Sequence, residues 1–202
     1  MIWKVTQGTT MQNPSHLLAA DVQLLFCDLQ KQIVARSKTT KPESLKRSAA
    51  VLAQLATVFA LPVTMSVVPE GNEAPELIAE LAKAVPEAPQ LLRANASPFL
   101  DEKTRKALAA SGRKTLVIAG FATEVVVLHA VTGAIEAGYR VLVPVDACGG
   151  MSERTETAAL RQIEVFGAEV TSIVTLATAL APDFTTELGK QMFATIQELR
   201  LA

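Results

Sequence analysis

Short, solidly apolar runs separated by stretches of helical periodicity constrain this chain more than any other feature. Residues 22–27 (Val-Gln-Leu-Leu-Phe-Cys) form such a run, ending in Asp28. Further strand-like segments follow at 62–68, 90–94, 115–119, 140–145 and 168–173. Between them lie helical segments at 42–60, 77–84, 101–111, 123–137 and 153–165, and helices at 174–181 and 184–199 close the chain. In 42–60 the apolar residues Leu45, Ala49, Leu52, Leu55 and Ala56 recur at helical spacing, with Pro42 where a helix N-terminus accepts it. Strands that are apolar throughout, rather than alternating, belong to a parallel sheet covered on both faces. The predicted fold is therefore α/β, a three-layer doubly wound sheet of six parallel strands, taken in the common order 3-2-1-4-5-6. One domain spans 1–202, with a core at about 20–182, a polar arm at 1–19 and a C-terminal helix at 183–202.

Residues 115–127 bring a reactive-looking turn to a position without a reactive side chain. The strand 115–119 ends at Gly120, which permits a sharp exit, and Thr123 can cap the helix that follows. Such a turn directs backbone N–H groups at one spot, where a thiolate or oxyanion is stabilised. The residue at the first turn of the helix is Val126, which cannot attack, ionise or carry a proton.

In a doubly wound sheet, ligands bind beyond the carboxyl ends of the strands where the winding reverses. With the order above, that point lies between the first and fourth strands. Asp28, Arg93 and the turn 121–126 then share one crevice. Bulk properties exclude several other functions. A net charge of −1 offers no long-range attraction to nucleic acid or an anionic membrane. The aromatic residues, 7 Phe, 1 Tyr and 1 Trp, are too few for a base-stacking platform. No apolar stretch reaches the roughly 18 residues of a membrane span, and the N-terminus has no signal-peptide core. Cys27 and Cys148 read as reduced, buried thiols of a cytoplasmic protein.

Four segments, in order, resemble the isochorismatase-like hydrolases, the cysteine-hydrolase superfamily that includes nicotinamidases and N-carbamoylsarcosine amidohydrolase. They are Leu25-Phe26-Cys27-Asp28-Leu29-Gln30, Arg93-Ala94-Asn95-Ala96-Ser97-Pro98-Phe99, Gly120-Phe121-Ala122-Thr123-Glu124-Val125-Val126-Val127, and Gly138-Tyr139-Arg140 leading on to Asp146-Ala147-Cys148. The family's amidohydrolases use an Asp–Lys–Cys triad in which the Asp deprotonates the thiol, the Lys stabilises charge and the thiolate attacks. The resemblance implies that Asp28 stands at the Asp position, Arg93 at the Lys position and Val126 at the Cys position. It further implies that Phe99, Phe121, Ala122 and Thr123 line the substrate, and that the Phe121–Ala122 peptide bond is cis. Nicotinamidases bind a metal through a carboxylate and histidines after the second strand. The corresponding Pro69-Glu70-Gly71-Asn72-Glu73 has no histidine, so no metal is expected, and no cofactor.

The residues themselves leave alternatives open. Asp28 reads as a general base, or as a carboxylate held by loop amides and Arg93. Arg93 reads as a clamp for a substrate carboxylate, or as a partner of Asp28; its guanidinium binds anions but donates protons poorly. Cys148 is a candidate displaced nucleophile, though its strand lies about 10 Å from the first. Cys27 reads as core, His129 as a packed helix residue, and Glu124 and Thr123 as helix-start residues. His16 carries no usable signal. Three functions remain: a hydrolase of a small, anionic metabolite that works without a cysteine, a silent member that binds a small carboxylate, or an assembly protein. The expected partners are a small-molecule ligand and other copies of the chain, as family members commonly form homo-oligomers, with no nucleic acid and no membrane.

Overall fold

The computed structural model describes residues 17–71 and 74–201. Most of the polar arm, His16 included, lies outside them, as do Asn72 and Glu73. Seven strands form one sheet: β1 (Val22–Cys27), β2 (Val63–Val67), β3 (Gln90–Leu92), β4 (Thr115–Phe121), β5 (Arg140–Pro144), β6 (Cys148–Gly149) and β7 (Glu169–Thr171). All pairings are parallel, in the order β3-β2-β1-β4-β5-β7, with β6 paired to β4 beyond the end of β5. The predicted sixth strand is thus β7. The segment between the expected strand 140–145 and helix 153–165 contributes the two-residue β6.

The apolar runs account for the centre of this sheet. Every residue of β1 and β4 is buried, and fully burying a Leu or Phe side chain contributes about 1.5–3 kcal/mol. Gln23, the one polar side chain in β1, is satisfied by Leu108 O at 3.2 Å and Arg113 O at 3.4 Å. Helices flank the sheet: α1 (Lys31–Val34), α2 (Pro42–Val58), α3 (Ala79–Ala84), α4 (Glu102–Ala110), α5 (Leu128–Glu136), α6 (Glu153–Val165), α7 (Ile173–Leu180) and α8 (Glu187–Gln197). One group packs around α2, including α3, α7 and α8, and α5 packs on α6 in another. Polar side chains start several of them: Asp101 accepts from Thr104 N at 2.8 Å, Ser172 from Thr175 N at 3.1 Å, and Thr186 from Gly189 N at 3.0 Å. Among the described residues no helix is long and apolar enough to cross a membrane.

Three local expectations are corrected. The fourth strand does not stop at Ala119 but continues through Gly120 and Phe121, because both still pair with β6. The helix expected from 123 begins with a π-helical turn over Thr123–Val127, a wide turn frequent at functional sites. His129 on α5 is exposed rather than packed.

Parallel register puts Ser66, Cys27, Gly120 and Cys148 in one row at the carboxyl edge of the sheet. Gly120 sits there at φ 153°, and a Cβ at this position would run into the Cys27 carbonyl. Gly120→Ala is expected to lower stability by about 3 kcal/mol through overpacking against main chain, read as a lower midpoint in urea denaturation with an unchanged slope.

Candidate functional site

Three strand ends carry the site. Asp28 leaves β1 with φ 54°, a left-handed conformation that Asp tolerates better than most residues, while its N–H still reaches Ser66 O at 2.9 Å. Arg93 follows β3, anchored by its N–H to Val67 O at 2.9 Å. Its side chain crosses β2 and meets Asp28 as a two-pronged fork. Nη1 donates to Oδ1 and Nη2 to Oδ2, each at 2.7 Å. Nη1 also donates to Ser66 Oγ at 3.1 Å. The Arg93 side chain is 1% exposed and that of Asp28 is 11% exposed, so the carboxylate is the more accessible member and the guanidinium lies behind it. Arg93 Nε is buried without a partner among the described residues.

Burial pushes the Asp28 carboxyl above its ordinary range, against the pull of both Arg93 bonds. Burial pulls Arg93 down, but its hydrogen bonds to and charge attraction with Asp28, helped by Cys27 and Asp101, leave it raised. Neither cysteine supplies a thiolate. Burial pushes the Cys148 thiol up to about 12 and Cys27 further still. Thiol nucleophiles and metal ligands need the deprotonated form. Among the described residues no group of three His, Cys, Asp or Glu side chains is placed to hold a metal ion.

The turn after β4 packs beside these strand ends. Phe121, Ala122, Thr123 and Val126 are all buried, Val126 at 1% and Thr123 at 0% exposure. The Phe121–Ala122 bond is cis. Thr123 does not cap its own helix. Its hydroxyl donates to Glu156 Oε1 at 2.7 Å, with Gly149 O at 3.0 Å, and so ties the turn to β6 and α6. Glu124 likewise works away from its own helix, accepting from Met151 N at 2.8 Å and Thr155 Oγ1 at 2.6 Å. Phe99 turns toward α5, packing on Gly133 and edge-on to Tyr139 at 6.1 Å. It lines a cleft of about 480 Å³ with Ser97, Arg105 and His129, and neither Asp28 nor Arg93 reaches that cleft.

Two residues with clear roles here carried weak signals in the sequence. Ser66 is a small polar residue within an apolar strand. Gln30 is fully buried, and its side-chain amide exchanges two hydrogen bonds of 2.9 Å with the Val68 main chain, fixing the exit from β2.

A doubly wound sheet with a buried ion pair at the reversal of its winding, and a helix starting beside it, defines a class, and comparison with known families gives that class a name. The Isochorismatase domain model matches residues 22–174, and the chain belongs to the isochorismatase family. Within that family it is YcaC-like. It is 30% identical over 169 residues to the probable hydrolase YcaC of Escherichia coli (strain K12), covering 83% of this chain and 81% of that protein. The structure of YcaC from Pseudomonas aeruginosa, with hexane-2,5-diol and covalent acrylamide, superposes with a TM-score of 0.86 at 27% identity, covering 95% of this chain and 93% of that one. The Escherichia coli YcaC structure, described as an octameric hydrolase of unknown specificity, gives a TM-score of 0.84 at 29% identity, covering 97% and 96%.

Removing one member of a buried pair strands the other. Arg93→Met is expected to cost roughly 3–5 kcal/mol in chemical denaturation near neutral pH, and Asp28→Asn in the same chain should return part of it. With Arg93 gone, only burial acts on Asp28 and holds its folded-state value above the unfolded one. The deficit should therefore be least below the unfolded carboxyl range and grow as pH rises through the folded value. Equal deficits in acid and at neutral pH would contradict this account.

Proposed function

We propose that this chain is a hydrolase of a small, anionic metabolite that works without a thiol nucleophile, with Asp28 moving the proton and Arg93 setting its position. The observation that carries this reading is the forked Asp28–Arg93 pair at the strand ends, beside two thiols held too basic to react. A carboxylate has about four acceptor sites, so Asp28 retains capacity beyond the two prongs of Arg93. Its partial exposure leaves it the reachable member. Water then serves as the nucleophile. Asp28 accepts a proton from water as the oxygen bonds to the reacting carbon, and the carbon–leaving-group bond breaks. The leaving group takes that proton back from Asp28. Val126 occupies the position of the family's cysteine in this reading, and Thr123 with Phe121 and Ala122 shapes the wall beside it.

A second reading has its own support: a silent member that binds a carboxylate or serves assembly. Val126 and Phe121 are closed into the core, and five clefts of about 380–560 Å³ lie elsewhere, none lined by Asp28, Arg93 or Val126. We further propose a homo-oligomer, supported by the octamer of the Escherichia coli relative and by exposed Phe184 and Phe193 beside and on α8. Two buried free cysteines fit the reducing cytoplasm.

A panel of amides, esters and vinyl ethers carrying a carboxylate separates the two readings. Hydrolysis is expected to persist after treatment with a thiol-blocking reagent and to fall at least a hundredfold in Asp28→Asn. Turnover abolished by the reagent would defeat the thiol-independent mechanism. No turnover across the panel would leave the silent member.

A further inference from the structure

Ser66 touches both halves of the pair by different atoms. Its carbonyl oxygen receives the Asp28 N–H at 2.9 Å, and its hydroxyl oxygen receives Arg93 Nη1 at 3.1 Å. The residue is 0% exposed and lies between its partners in the sheet, paired with Cys27 on β1 and Leu91 on β3. Arg93 must cross two strand spacings, about 10 Å, to reach Asp28. Its guanidinium therefore passes over β2 at Ser66. A larger side chain there would obstruct the crossing, and an apolar one of similar size would leave an N–H of Nη1 without an acceptor. Nη1 carries two protons, and one is taken by Asp28 Oδ1. Ser66 Oγ takes the other, which fixes the rotation of the guanidinium plane about its long axis. In a planar guanidinium the Nε N–H lies on the flank opposite this proton, out of reach of Ser66 Oγ.

We propose that Ser66 is a positioning residue: by holding Nη1 of Arg93 from below it keeps the fork in register with Asp28, and thereby sets how tightly Asp28 holds its proton. The proposal rests on reading Asp28 as the proton-moving group, but its test does not require turnover. The titratable neighbours acting on the pair are Arg93 itself, Cys27 on β1 and Asp101, which acts on Arg93. None of them is altered by substituting Ser66, so a change in the behaviour of Asp28 reports the geometry of the fork.

The sign follows from the chemistry. A guanidinium free to rotate stabilises the carboxylate less well, so Asp28 without Ser66 holds its proton more tightly. The experiment is a titration of the Asp28 side-chain carbon by carbon-13 NMR in the wild-type protein, Ser66→Ala and Ser48→Ala. Ser48 is a buried serine on α2 outside the hydrogen bonds of the pair, and it controls for the loss of a buried hydroxyl. Ser66→Ala is expected to raise the midpoint by roughly half a unit to one unit, a three- to tenfold weaker acid, with Ser48→Ala unchanged. In an Arg93→Met background the same Ser66→Ala change should shift nothing further. An unmoved midpoint in Ser66→Ala, or an equal shift in Ser48→Ala, overturns the proposal. Absence of hydrolysis across the panel above would sink the catalytic reading while leaving this titration intact.

Discussion

The fork between Arg93 and Asp28 is the interaction to which the rest of the site is fitted. A charge pair with side chains 1% and 11% exposed is expensive to desolvate, and its mutual attraction does little more than offset that expense. Its importance lies in what it demands of its surroundings. Both carboxylate oxygens and both terminal nitrogens need partners at short range, so three consecutive strands must end at matching heights. Asp28 must turn out of the sheet in a left-handed conformation, the crossing strand must present a small acceptor, and the segment after β3 must be pinned to Val67. Each demand is met by a named hydrogen bond. The pair thus acts less as a source of stability than as a geometric specification of the carboxyl edge.

Beside that edge lies a compact row of small side chains. Gly120 has Cys27 on one side and Cys148 on the other in the register of the sheet. Two thiols flanking a glycine suggest redox chemistry at first sight. Their backbones are two strand spacings apart, about 10 Å, beyond the span of a disulfide. Burial also holds both in the thiol form. They fill space that larger residues would overfill, which suits their position under a turn that must approach the sheet closely.

Much of this was legible in the sequence because solid apolar runs and their spacing are governed by burial alone. Given the common winding order of doubly wound sheets, the meeting of Asp28 with Arg93 follows from where the runs stop. What was not legible depended on contacts between distant segments. Thr123 has every mark of a helix cap, yet its hydroxyl is drawn to Glu156, thirty-three residues on, because α6 begins beside the turn. The extension of β4 through Phe121 depends on pairing with Cys148 and Gly149, which look like loop residues when read alone. Helical spacing reads His129 as packed, but its side chain is exposed at the cleft it shares with Ser97, Phe99 and Arg105. Ser66 gave only the faint signal of a hydroxyl in a strand that did not need one.

The crossing of Arg93 over β2 bears on how such a site can drift. A lysine at position 93 could reach only one oxygen of Asp28 at a time and would have no planar edge to rest on Ser66. An arginine placed over a bulky residue at 66 would not lie flat. Asp28, Ser66 and Arg93 therefore form a linked set of letters, and a change at one alters which changes are tolerated at the other two. Replacing the arginine by lysine would leave Ser66 Oγ without its guanidinium donor, so the two positions are not free to change independently. Swapping the cation alone in this chain would measure the lost contact with Ser66 as much as the chemistry of the side chain.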